Sequence, residues 1–448
     1  MMVSPIEQLA KSFSLASFKK AKDLKKRIWF TLFILVIYRL GTYIPLPSIN
    51  PAVVSEFTRS HAGGLFGVLD MFSGGAIGRM TVFSLNIMPY ISASIIVQLL
   101  TAMSPTLTAM KKEGESGRRK INQYTRYGTV ALAMMQGYGI AVGLERMMGH
   151  SGSAVLDPGL LFRFTTMTSL TGGTLFIMWL GEQISSRGLG NGSSIIIYSG
   201  IVANLPSALF NTFAMGKQGA LSITALVGLL IMVIAVIAFI VFMEKANRKI
   251  PIQYPKRTTM VGVPAQQQGS HLPLKLNSSG VIPPIFASSV LLLPMTIAGF
   301  MTVDPNSVLG KISRIFAHGQ PIYIVSFCAA IIFFAYFYTA IMFAPEETAE
   351  NLKKSGSYIP GIRPGAATAD YIDNMLTKLT AIGSLYLCAV CVLPEVLLSQ
   401  VSLPFYFGGT SLLIVVNVSI DTVSQFQSHL IAQQYEGLFK RSRQRGLI

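Results

Sequence analysis

ALSITALVGLLIMVIAVIAFIVFM, residues 220–243, runs without a single Asp, Glu, Lys or Arg. A helix needs about 20 apolar residues to cross a hydrocarbon core about 30 Å thick, and this stretch is long enough. Working outward, nine more stretches of similar apolar character occur, at 28–44, 80–101, 124–147, 164–183, 193–213, 281–301, 321–343, 377–398 and 405–426. A large soluble enzyme can bury one or two all-apolar helices, but not ten in succession. The expected fold is therefore an all-α polytopic membrane protein with ten transmembrane helices.

Composition agrees. Over 448 residues, 51% are hydrophobic and only 12% charged, against about 25% charged in soluble domains. Residues 1–27 hold no apolar run. The first stretch is followed by GTYIPLP (41–47) where a cleavage site would need small residues, so it is expected to stay in place. Cys328, Cys388 and Cys391 all fall inside apolar stretches. With no second CxxC pair they form neither a zinc pattern nor a disulfide framework, and read as small buried hydrophobes.

A net charge of +17 could point to nucleic acid. Its distribution points elsewhere. With the N-terminus inside, 28 of the 36 Lys and Arg fall in or at the mouths of interior segments, seven fall outside, and Arg39 lies in the first stretch. That is the positive-inside bias, and it places both termini in the cytoplasm. The divisions expected are an N-terminal segment (1–27), an N-terminal half (28–213), a C-terminal half (214–426) and a tail (427–448). Long interior connections at 103–123, 244–280 and 344–376 mix basic residues with Gly, Pro and Tyr, as shaped functional loops do.

One segment does not fit. AGGLFGVLDMFSGGAIGR (62–79) has six glycines in eighteen residues and Asp70 in its middle. It is too broken to span. It reads equally as a re-entrant half-helix folded into a cavity or as an external loop.

Chemistry is missing where an enzyme would carry it. The chain has no phosphate-loop motif and no HExxH. RGLGNG (187–192) follows a helical pattern where a dinucleotide fingerprint needs a strand, so it reads as a tight turn. No catalytic residue, cofactor or metal is expected. A proton- or sodium-coupled transporter keeps ionisable groups near the bilayer midplane. Here Arg39 and Glu395 lie near outer ends, Glu182 and Asp421 near inner ends. That favours a pore without small-ion coupling, or a scaffold, over a transporter.

Eight strings in order along the chain resemble the bacterial-type SecY family: MFSGGAIGRM (71–80), NIMPYISASIIVQLL (86–100), KKEGESGRRKINQYTRYG (111–128), MWLGEQISSRGLGNGSSIII (178–197), SHLPLK (270–275), GVIPPIFASS (280–289), NLKKSGSYIPGIRPG (351–365) and PFYFGGTSLLIVV (404–416). The resemblance implies two pseudo-symmetric five-helix halves around an hourglass pore in the bacterial inner membrane. It implies conduction of unfolded polypeptides across the membrane and lateral release of hydrophobic segments into lipid. Implied partners are SecE and SecG as small subunits, the SecA ATPase or the ribosome on the cytoplasmic loops, and signal peptides and nascent chains as substrates. Ribosomal RNA contact through the basic loops is implied as well.

It also assigns residues. Ile87, Ile91, Ile197, Ile285 and Ile414 form a pore ring; of these, Ile87 and Ile91 are four apart and share a helix face, with Pro89 between them where a bend is expected. A plug at about 64–75 comprises Gly64, Leu65, Phe66, Val68, Leu69, Met71, Phe72, Gly74 and Gly75, with poor anchoring expected of a movable part. A lateral gate uses Ser92, Ser94, Gln136, Ser288 and Ser289. Motor or ribosome docking falls to Lys111, Lys112, Arg118, Arg119, Arg248, Lys249, Lys256, Arg257 and Arg363. The tip after Lys256–Arg257 reads MVGVP (260–264) where many members carry a further basic pair.

Overall fold

The computed structural model describes residues 22–51, 53–54, 56, 70–146, 148–149, 152–217, 223–253, 270–300, 320–400 and 409–444. Each of the ten apolar stretches lies largely on a helix: α1 (Lys22–Gly41), α2 (Met88–Met103), then, after a short α3 (Pro105–Lys112), α4 (Glu115–Arg146), α5 (Leu160–Arg187), α6 (Gly192–Lys217), α7 (Ile223–Lys245), α8 (Ile282–Phe300), α9 (Pro321–Met342), and, after a short α10 (Pro345–Lys354), α11 (Ala366–Gln400) and α12 (Gly409–Gln444). Two antiparallel hairpins interrupt them, β1 (Met148–Gly149) with β2 (Gly152–Ser153) and β3 (Asn247–Ile252) with β4 (Ser270–Lys275).

Among the described residues, four helices are long and apolar enough by themselves to cross a membrane, or five if α2 and α3, bent by 99° at their junction, count as one. Others are diluted along their length; α5 carries Arg163, Glu182 and a run of Thr and Gly. Small and hydroxyl residues of this kind let helices approach closely, and buried Thr171 and Thr174 return their hydroxyls to carbonyls one turn back, to Met167 at 2.8 Å and Leu170 at 3.0 Å.

The second stretch is shorter as a helix than its hydropathy suggests. Residues 80–87 are turns apart from Thr81, which makes an isolated bridge to Pro45, and α2 starts at Met88. Met80 and Asn86 have positive φ (42° and 50°), which no helix accommodates, and Pro89 then sits in the first turn, where its missing N–H costs nothing. Pro89 starts a helix; it does not bend one. Pro283 and Pro284 likewise lie within the first turn of α8 and leave it unbroken.

The main core draws on α1, α2, α5 and α6 from the first half and on α7, α8, α9, α11 and α12 from the second. The halves meet along two seams. On one, α8 packs against α2 and α4; on the other, α6 and α1 pack against α12, and α6 against α7. The loops at 244–280 and 344–376 form a small module of their own. Ile250 and Leu274 of the hairpin pack with Ile359, Ile372 and Leu376, and Gln253 and Tyr358 exchange backbone bonds at 2.9 and 3.0 Å.

Candidate conducting pore

The five ring isoleucines come from four separate segments. Ile87 is the N-cap residue of α2, and Ile91 is one turn on, its N–H reaching the Ile87 carbonyl at 3.1 Å. Ile197 lies in the second turn of α6, Ile285 in the first turn of α8 and Ile414 in the second turn of α12. All belong to the main apolar cluster: Ile87, Ile91, Ile197 and Ile414 are at most 7% exposed, and half-buried Ile285 packs against the cluster. Branched aliphatic side chains from both halves thus share one apolar cluster, with no polar atom of their own.

A polar cavity of about 900 Å³ reaches this cluster. Ile87 and Tyr90 line it together with Arg118, Arg119, Arg126, Glu182 and Asn191. Arg126 grips Glu182 through two contacts of 3.0 and 2.8 Å, bracing α4 against α5. Arg118 and Arg119 therefore face this vestibule, a placement that their position in a basic run does not reveal.

Of the plug residues, Gly64, Leu65, Phe66, Val68 and Leu69 lie outside the described residues. Met71, Phe72, Gly74 and Gly75 are described, and they are firmly held. Asp70–Ser73 makes one helical turn, then Gly74 and Gly75 take φ of 68° and 85°, which glycine adopts freely. Three successive carbonyls are captured by side chains: Phe72 by Asn86 Nδ2 at 2.6 Å, Ser73 by the Tyr38 hydroxyl at 3.4 Å, and Gly74 by Arg39 at 2.7 Å and Arg79 at 3.3 Å. Ser411 of α12 donates to the Met71 sulfur at 3.5 Å. Gly200 of α6 lies so close that a Cβ there would come within 2.6 Å of the Phe72 carbonyl. The expected poor anchoring does not hold for 71–75, because α1, α6, α12 and the turn before α2 all contact it.

At the seam between halves, Ser92 is buried and Ser94 half-buried on α2, and Gln98 donates to the Ser94 hydroxyl at 3.1 Å. Gln136 is half-buried on α4. Ser288 and Ser289 on α8 are buried and both donate to the Ile285 carbonyl, at 2.9 and 2.8 Å.

The basic residues divide into two groups. Lys111 and Lys112 are exposed at the end of α3, with Arg118 and Arg119 exposed at the start of α4, where Arg119 pairs with Glu115 at 2.8 Å. Arg248 and Lys249 are exposed on β3, in the same loop module as exposed Arg363, which sits between Gly361 (φ 82°) and Gly365 (φ 112°) with its carbonyl bonded by Thr368. Lys256 and Arg257 lie outside the described residues. Among the described residues, no three His, Cys, Asp or Glu side chains gather as a metal site requires.

Sequence reasoning missed Tyr38 and Asn86 as anchors of the turn, and Arg126 as a vestibule residue. An Asn three before a proline, where a left-handed turn must precede a helix, was the only signal available for one of them.

Comparison with known proteins gives the family and the fold. The SecY family profile matches residues 81–423. The protein translocase subunit SecY of Escherichia coli K12 is 50% identical over 425 residues, covering 95% of this chain and 96% of that one. The Rickettsia typhi subunit of the same name is 49% identical over 423 residues, covering 94% and 97%. A solved protein-conducting channel has the same fold at 16% identity and a TM-score of 0.65, covering 91% of this chain and 92% of that one. A SecY structure that addresses the plug and the closed state of its channel superposes at 0.64, with 18% identity and the same coverage. The chain is a member of the SecY family.

Proposed function

We propose that this chain is the channel subunit of a protein translocase, conducting unfolded polypeptides across a bacterial inner membrane and releasing hydrophobic segments sideways into lipid. The observation that carries this reading is the convergence of five isoleucines from both halves, at the inner end of a polar vestibule and beside a pinned glycine turn. A polypeptide pore must pass every side chain and hold none. It must also block ions at rest, which a narrow apolar ring does by dewetting.

Ten crossings with both termini cytoplasmic suit the placement of the basic residues. Residues 64–75 act as the plug, with 71–75 as its anchored end. The seam of α8 against α2 and α4 is the lateral gate. SecE and SecG complete the membrane complex, and SecA or a ribosome supplies the driving force, so the chain itself performs no chemistry.

The test is reconstitution of the purified chain with two small membrane subunits in sealed vesicles. Uptake of a signal-bearing precursor, driven by SecA and ATP or by a ribosome, is expected. Signal-independent uptake, or membrane insertion with no passage of soluble segments, would reduce the chain to an insertase or scaffold.

A further inference from the structure

The start of α8 is tied to two other helices by one carboxylate. Glu244, at the end of α7, accepts from Asn277 Nδ2 at 3.1 Å on one oxygen and from Asn417 Nδ2 of α12 at 2.8 Å on the other. Asn277 belongs to the turn between β4 and α8, and its amide also reaches the Gly280 carbonyl at 3.0 Å, while Ser279 donates to its Oδ1 at 3.0 Å. Asn277, Ser279 and Asn417 are all buried. Gly280 turns at φ 62°, and a Cβ there would face the Asn417 amide at 3.9 Å. Two residues later α8 begins, and Ile285, Ser288 and Ser289 follow within its first two turns.

Hydrogen bonds to a carboxylate are about twice as strong as neutral ones, and they gain further when enclosed. Glu244 therefore fixes where α8 starts relative to α7 and α12, the two helices that pack on α6 along the other seam. Nothing comparable joins α8 to α2 or α4 among the hydrogen bonds of the described residues. One end of α8 is pinned, while among the described residues no hydrogen bond joins it to α2 or α4.

We propose that Glu244 is a positioning residue of the gate: with Asn277 and Asn417 it forms the pivot about which α8 swings from α2 and α4, and it sets how much a signal sequence must contribute to open the seam. This rests on the reading of that seam as the lateral gate. With the pivot intact, Ile285 stays in register with the ring and only a strong signal helix opens the seam. These bonds are complete only with α8 against α2 and α4, so loosening them costs the closed arrangement more than the open one and weak signals suffice.

The experiment uses cells in which the variant is the only copy of the chain, and two exported reporter enzymes, one with an intact and one with a crippled signal sequence. Glu244→Leu should raise export of the crippled-signal reporter about tenfold, the shift expected when a closed state loses one charged hydrogen bond, with the intact-signal reporter unchanged. Asn417→Leu should reproduce this, and Glu244→Gln, which keeps one of two acceptor oxygens, should fall between. Variants that treat both reporters as the parent does, or that depress both in parallel with the amount of chain in the membrane, overturn the pivot. If Glu244→Leu does not accumulate, Asn417→Leu decides alone. A ring variant with several Ile→Ser changes runs alongside. A stringency change there but none at Glu244 or Asn417 removes the pivot and leaves the channel; no change in either removes the channel reading.

Discussion

Asn86 donates from its side-chain Nδ2 to the carbonyl oxygen of Phe72 at 2.6 Å, so the residue just before Ile87 also holds the last helical turn of the glycine-rich segment. The bond is buried at both ends. The turn cannot leave without breaking it, and Ile87 takes its place in the ring from the same short stretch of backbone.

Replacing Asn86 by Ala leaves the Phe72 carbonyl buried without that donor, a loss of about 1–3 kcal/mol. It also forces a β-carbon residue with no local compensation into φ 50°. Asn86→Gly removes the bond but relieves the backbone, so it should be the milder change. Both should increase resting ion leak in planar bilayers, with Ala above Gly. Leak equal to that of the parent in both variants would mean that the turn is retained by Tyr38 and Arg39 alone.

Asp70 makes the same turn sensitive to pH. Burial pushes its carboxyl above the usual range, against the Gly78 N–H that it accepts at 2.6 Å and the nearby charge of Arg79. The packed turn thus favours the protonated acid. Its contribution is complete below about pH 4, the free-carboxyl value, and is lost as pH rises through the raised value of the folded state. Asp70→Asn keeps an acceptor for Gly78 and removes the titration. With a cysteine introduced by Ser73→Cys, the ratio of labelling rates, parent over Asp70→Asn, should climb as pH rises above about 4, the reagent's own pH dependence cancelling in the ratio. A flat ratio would show that Asp70 has no part in holding the turn.

What could be read from the sequence follows what hydrophobicity can and cannot register. The stretch 220–243 became α7 almost residue for residue, because a helix in lipid has no competing way to satisfy its backbone. The stretch from Met80 overran its helix by eight residues, since hydropathy is blind to positive φ at Met80 and Asn86. The five isoleucines were nameable only by resemblance: an isoleucine facing a pore and one facing lipid look alike in sequence, and only the fold brings the five into one apolar cluster. The partners of Glu244 are 33 and 173 residues away, beyond any local pattern.

Arg363 is exposed on a turn whose two flanking glycines take positive φ, in a module with its own small core. A charge change there alters the surface and leaves Ile250, Ile359 and Ile372 packed. Arg363→Glu should lower SecA- or ribosome-driven translocation by about tenfold or more while the amount of chain stays constant; each tenfold is about 1.4 kcal/mol of binding. Arg248→Glu, on the same module, should act in the same direction and less strongly. Ribosome binding should weaken with added salt as RNA counterions are retained. Undiminished transport by both routes in Arg363→Glu would confine these charges to setting topology.

The ring gives the sharpest test of the channel. Ile87, Ile91, Ile197, Ile285 and Ile414 pack in one cluster, so a single Ile→Ser leaves four apolar neighbours to close around one hydroxyl, and that hydroxyl can return its hydrogen to its own helix as Ser288 and Ser289 already do. Single changes should therefore have small effects on leak. Three or more serines offer water a continuous set of partners across the constriction, and dewetting fails. Conductance of the resting channel should then rise steeply with the number of substitutions, and crippled signal sequences should be accepted in the same variants, because a wetted ring no longer opposes opening. A ring with four serines that still seals against ions would place the barrier elsewhere, with the turn at 71–75 the next constriction to probe.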